Sequence, residues 1–114
     1  MTYKMNLKLK PFEAILNKTK TIEMRLYDEK RQQLKIGDYI EFNCKDSNKT
    51  IKAKIKSLFI CSNFDRLYEL FPKTKLGYSE NETACPCDML NFYPQEEMDK
   101  FGVVGIEIEV IEIV

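Results

Sequence analysis

Three well-separated segments alternate apolar with polar or charged residues: TIEMRL at Thr21–Leu26, TIKAKIK at Thr50–Lys56, and GIEIEV at Gly105–Val110. A period of two belongs to a β-strand with one buried face, whereas a helix repeats about every 3.6 residues. Such strands fall early, in the middle and at the C-terminal end of the sequence, with helical segments between them. This spacing predicts an α+β fold, mostly β: a small barrel of about five to six strands with inserted short helices, closed by its last strand. A length of 114 residues suits a single domain over 1–114 with a modest core.

Read in order, YKMNLKLK places Met5, Leu7 and Leu9 on one strand face. Pro11 suits the first position of a short helix, and Asn17 its left-handed close. In the next strand Ile22, Met24 and Leu26 face inward and Glu23 and Arg25 outward. YIEFNC and KTIKAKIKSLFIC read as a hairpin with Ile51, Ala53 and Ile55 buried and Lys52, Lys54 and Lys56 as an outward stripe. SNFDRLYELF is helical, with Ser62 and Asp65 at capping-box spacing, and PKTKLGYSENETACPC reads as a loop. DMLNFYPQEEMDKFG holds one or two short helices ended by Gly102. The closing strand turns Val104, Ile106, Ile108 and Val110 inward. One core is expected to hold Ile22, Met24, Ile40, Phe42, Ile106 and Ile108.

Apolar residues make up 44% and charged residues 32%, as in a folded rather than a disordered chain. No apolar run reaches the roughly 20 residues of a membrane helix, and the N-terminus lacks the sections of a signal peptide. A cytoplasmic location is the expectation, with Cys44, Cys61, Cys85 and Cys87 reduced. Only Cys85 and Cys87 are close in sequence, too few ligands for a metal site without histidine, and nothing implies a cofactor. There is no histidine at all, so a base working near pH 7 would be a perturbed Lys, Glu or Cys. A net charge of zero hides an asymmetry: residues 1–60 carry +7 and residues 61–114 carry −7. Either the halves attract each other in the fold or the first half offers a polyanion surface.

Lys20, Glu23 and Arg25 supply a point charge, an acceptor and a planar fork, a set able to hold an anion together with a hydrogen-bonding base edge. The bland alternative is a solvated strand face. KTKTIEMR resembles the ASCH motif, Gly-x-Lys-x-x-Glu-x-Arg, and PFEAILNKTKTIEMRL, LKIGDYIEF and KFGVVGIEI extend the resemblance over most of the chain. Lys18 stands where the motif has glycine. The resemblance implies a PUA-like barrel with a cleft for RNA or a nucleotide-like ligand, bound by Lys20, Glu23 and Arg25. Some small relatives hydrolyse N4-acetylcytidine with a lysine, a threonine and a later glutamate. Here Lys20 matches the lysine, Glu23 replaces the threonine, and Glu69, Glu80 and Glu82 are candidates for the later acid. If the protein is an enzyme, Lys20 and Glu23 are its expected acid–base pair.

Tyr78 either stacks on a base or anchors its loop. The lysine stripe either tracks phosphates or is solvated, and Tyr27, Asp28 and Arg31 either line the cleft mouth or stay in water. The expected function is therefore RNA or nucleotide binding. The alternatives are amidohydrolysis of an acylated cytidine-like nucleoside, or a protein-interaction role for the charged halves.

Overall fold

The alternating segments all become strands of one sheet. A computed structural model describes residues 1–114. Strands β1 (Thr2–Asn6), β2 (Ile22–Leu26), β3 (Tyr39–Asn43), β4 (Thr50–Cys61) and β5 (Val103–Ile113) lie in the order β1-β3-β4-β5-β2. β1 runs parallel to β3 and every other pairing is antiparallel. Helix α1 (Leu9–Leu16) links β1 to β2, while α2 (Phe64–Leu70), α3 (Gln95–Phe101) and two 3-10 segments, Lys73–Leu76 and Pro86–Asn91, fill the long β4–β5 connection. The result is a curled, half-barrel sheet with short helices, the mostly-β PUA-like architecture expected. β5 lies between β4 and β2 rather than at a closing edge.

The expected single core is in fact two. Side chains of directly paired residues in an antiparallel sheet share a face. β2 and β5 pair with Glu23 opposite Ile106 and Arg25 opposite Val104, while Met24 faces Gly105 and Leu26 faces Val103. Ile40, Phe42, Val104, Ile106 and Ile108 pack with Phe12 and Ile15 of α1 in one cluster. Ile22, Met24, Leu26 and Val103 pack on the other face with Phe64, Leu67, Leu76, Met89 and Met98. Both faces of β2 are therefore covered. Glu23 and Arg25 share a face with the first core, which corrects the reading of that face as outward and rules out the alternative of a solvated strand face.

On the hairpin, Ile51, Ala53 and Ile55 are fully buried as expected. The lysines lie in register with acids: Lys52 with Glu41 on one side and Glu112 on the other, and Lys54 with Glu109. This arrangement favours attraction between the two charged halves of the chain.

The turn after α1 also departs from expectation. Asn17 has φ −86°, and Lys18 itself takes the left-handed conformation at φ 68°. The N–H of Lys18 donates to Ile15 O at 3.0 Å and that of Thr19 to Ala14 O at 3.1 Å, the paired closure of a Schellman motif with Lys18 in the glycine position. Asn17 supports it through Oδ1, which accepts from the Thr19 hydroxyl at 2.7 Å. The remaining local differences are small. β1 ends before Leu7, α1 starts two residues ahead of Pro11, and Asn63 rather than Ser62 caps α2, accepting from the Arg66 N–H at 2.9 Å. Cys85 and Cys87 are joined in a disulfide, where reduced thiols were expected; their Cα atoms lie 5.1 Å apart, within bridging reach.

A left-handed non-glycine residue costs about 1–2 kcal/mol, and glycine's extra unfolded-state freedom returns roughly half of that. Lys18→Gly is expected to stabilise the protein by about 0.5–1 kcal/mol in denaturant melts. A destabilised variant would show that the lysine side chain contributes more than its backbone strain costs.

Candidate functional site

The Schellman turn delivers Lys20 to the start of β2, where the Thr21 N–H donates to Lys75 O at 3.0 Å and pins the strand to the Lys73–Leu76 turn. Gly77 closes that turn at φ 108°, and a Cβ there would sit 3.0 Å from Lys20 Cδ. Glycine thus serves twice, for a backbone that L residues rarely adopt and for the lysine stem running across it. In the sequence it stood inside an unstructured loop, and nothing linked it to Lys20.

Glu23 is 3% exposed and Lys20 7%, the only charged residues of the chain that are buried. Lys20 Nζ lies 2.8 Å from Glu23 Oε1, and Arg25 Nε donates to Glu23 Oε2 at 2.7 Å. Arg25 Nη2 also donates to Asn6 O at 3.2 Å, linking β2 to the end of β1 at the opposite edge of the sheet. Burial works to raise the Glu23 pKa, but the Lys20 ammonium and Arg25 guanidinium outweigh it and hold the carboxyl below its usual range. Burial likewise works to lower the Arg25 pKa, and Glu23 overcomes it. With two cations on one carboxylate, the cluster carries a net positive charge. Three of the five Arg25 N–H donors and two of the three on Lys20 remain unspent by these contacts.

A cleft of about 480 Å³ opens on this cluster, between α1 and the β4–β5 connection. Lys20, Glu23, Arg25 and Tyr78 all line it, so the expected binding residues converge. Tyr78 presents its ring there, but its hydroxyl is engaged, 2.8 Å from the Tyr68 hydroxyl and donating to Asp88 Oδ2 at 2.7 Å. Burial and these two partners push the Tyr78 pKa up, keeping the phenol protonated. The tyrosine is thus both cleft wall and loop anchor.

Of the three candidate acids, Glu82 lines the cleft. It pairs with Lys10, accepts from the Ser79 N–H at 2.7 Å, and is held at a pKa of about 2 by these partners. Glu69 pairs instead with Arg66 at 3.2 Å on the exposed side of α2. Glu80 is exposed, and its carbonyl accepts from Lys73. Tyr27, Asp28 and Arg31 lie outside the cleft lining, with Arg31 Nη1 donating to Asp28 Oδ2 at 2.9 Å. Sequence reasoning missed Asp88, Phe92 and Tyr93, which reach the cleft from the β4–β5 connection. No periodicity marks them, because they sit on short irregular turns.

The family model described as ASCH domain matches residues 5–112. The crystal structure of hypothetical protein PH0355 is 34% identical, covers 97% of this chain and 100% of its own, and superposes with a TM-score of 0.82. The solution NMR structure of protein PF0455 from Pyrococcus furiosus is 32% identical, covers 98% of this chain and 99% of its own, and has a TM-score of 0.76. A serine-to-alanine mutant of ZmASCH from Zymomonas mobilis is 12% identical, with a TM-score of 0.67 over 99% of this chain and 72% of its own, and shares the fold. No curated protein matches the chain.

Removing the Glu23 charge leaves the buried Lys20 and the part-buried Arg25 facing each other without a counter-ion, so Glu23→Gln is expected to cost about 3–5 kcal/mol near neutral pH. The folded pKa of Glu23 is depressed, so its contribution is complete above the unfolded value of about 4.3. That contribution drains as pH falls through the folded value. Denaturant melts should therefore show wild type and variant converging below about pH 4. A gap that is constant with pH would contradict an ionised, cation-held Glu23.

Proposed function

The chain belongs to the ASCH domain family, and we propose that its cleft binds one nucleotide unit of single-stranded RNA. The observation that carries this reading is the shared Glu23 carboxylate, which holds Lys20 and Arg25 side by side at the cleft floor with donors to spare. Arg25 offers a fork to phosphate or to a base carbonyl, and Lys20 offers a point charge. Glu23 then acts first as the group that sets the spacing of the two cations, and its second lone pairs can accept from an exocyclic amine. The wall opposite brings the Asp88 carboxylate and the Tyr78 ring, an acceptor and an aromatic surface suited to an unstacked base. A cleft of about 480 Å³ has the dimensions of a small-ligand site. The lysine stripe of the hairpin, in register with glutamates, supports a local grip on one nucleotide more than a long polyanion track.

Hydrolysis of an N4-acylated cytidine-like nucleoside is the second reading, favoured by the buried 2.8 Å contact between Lys20 and Glu23. It ranks lower because the depressed Glu23 pKa makes that carboxylate a weak general base for water. In an assay with N4-acetylcytidine, turnover abolished by Lys20→Ala would reverse the ranking.

Titration of a short single-stranded RNA at two salt concentrations tests the first reading. Arg25→Ala is expected to weaken binding and reduce the salt slope by about one, while Lys54→Ala leaves both nearly unchanged. Loss of affinity in Lys54→Ala with none in Arg25→Ala would move the interface to the sheet face.

A further inference from the structure

Seven phenylalanines occur in the chain, and Phe92 is the one left largely exposed, at 57%. A single exposed apolar residue needs no special cause. Phe92, however, stands on the lip of the cleft. Its backbone is fixed, since its N–H donates to Met89 O at 3.0 Å at the end of the Pro86–Asn91 turn, and the Met89 side chain is buried in the second core. The next residue, Tyr93, anchors the same turn by stacking on Phe64 with ring centroids 6.3 Å apart. Across the cleft mouth, Lys8 places Nζ 5.6 Å from the Phe92 centroid. Lys8 is itself exposed and pairs with no carboxylate, unlike Lys10 beside it, which pairs with Glu82. A solvent-facing aromatic ring on a fixed backbone, with a free cation over it, is the arrangement that stacks a base and meets its phosphate.

We infer that Phe92 and Lys8 form a second subsite on the cleft rim, stacking the base adjacent to the one held inside. The inference rests on the proposed function and deepens it: the preferred ligand is single-stranded RNA of at least two nucleotides, not a free nucleotide. Phe92 supplies the π-face and Lys8 the charge for the linking phosphate. Because stacking reads no hydrogen-bonding edge, the rim adds affinity without sequence preference. Discrimination between bases is left to the cleft floor.

Affinities of the ribonucleoside monophosphates and of a mixed-sequence RNA tetranucleotide, measured on wild type, Phe92→Ala, Phe92→Tyr and Lys8→Gln, decide the matter. Wild type is expected to bind the tetranucleotide at least tenfold more tightly than the monophosphates. Phe92→Ala should bring the tetranucleotide close to the monophosphate level while lowering monophosphate affinity far less, and Phe92→Tyr should restore wild-type behaviour. Lys8→Gln should reduce only the tetranucleotide affinity and its salt dependence. If the monophosphates bind and Phe92→Ala holds the tetranucleotide as wild type does, the rim subsite is wrong and the cleft reading survives. If neither probe binds wild type, both fall. Self-association of the RNA-free wild type that Phe92→Ala abolishes would identify the ring as a protein contact and overturn the subsite.

Discussion

The antiparallel pairing of β2 with β5 determines where the two strand charges of the site, Glu23 and Arg25, go. With Glu23 opposite Ile106 and Arg25 opposite Val104, the acid and the base are turned toward the face that carries the first core. Shifted by one residue, Ile22, Met24 and Leu26 would take that face and the charges would go to the helices on the other side. The register is held by two independent apolar sets. Val104 and Ile106 bind the strand to the α1 side, while Val103 and Gly105 bind it to the α2 side. At Gly105 a Cβ would come within 2.7 Å of Leu67 Cδ1, so β5 is pressed against α2 at the very residue opposite Met24. Two packed faces leave β2 no freedom to slide, and the buried ion cluster is the consequence.

Burying Lys20 and Glu23 and half-burying Arg25 is costly unless each is paired, and here one carboxylate serves two cations. The arrangement is stable only because Lys20 and Arg25 arrive from different constraints. Lys20 is placed by the turn after α1 and by the space over Gly77, and Arg25 by the strand and by Asn6 across the open edges of the sheet. The surplus positive charge then faces a cleft whose other charges are the paired Lys10 and Glu82, the Asp88 carboxylate that accepts from Tyr78, and Lys8 at the lip. Net charge across the whole chain says nothing of this. Part of the imbalance between its halves is met where Lys52 and Lys54 of β4 lie in register with Glu112 and Glu109 of β5, while the cleft floor carries a local positive surplus of its own.

Much of the sheet was legible because alternation is a local signal. Ile51, Ala53 and Ile55 on β4, and Val104, Ile106 and Ile108 on β5, all lie inward as their period requires. The motif residues Lys20, Glu23 and Arg25 were likewise visible from their spacing and do converge. What alternation cannot report is which side of a neighbouring strand a face meets. Ile22 and Ile106 were therefore placed in one core when register puts them in two, and the face of Glu23 was read as outward when both faces of its strand are covered. The opposite wall was hidden for another reason. Asp88, Phe92 and Tyr93 sit on turns with no period, brought to the cleft by the burial of Met89 and the stacking of Tyr93 on Phe64. Lys18 in the glycine position shows a third limit, since a turn fixed by Asn17 and Thr19 can hold a residue that propensity alone would refuse.

The central claim is that the cations gathered by Glu23, and not the lysines of the hairpin, meet the ligand. NMR titration of isotopically labelled protein with a ribonucleoside monophosphate tests it most directly, following the Arg25 Nε–H, the Gly77 amide and the Lys52, Lys54 and Lys56 side chains together. Saturable shifts concentrated at Arg25 and Gly77, with the three lysines unmoved, are the result expected. Shifts confined to those lysines, with Arg25 and Gly77 silent, would contradict it.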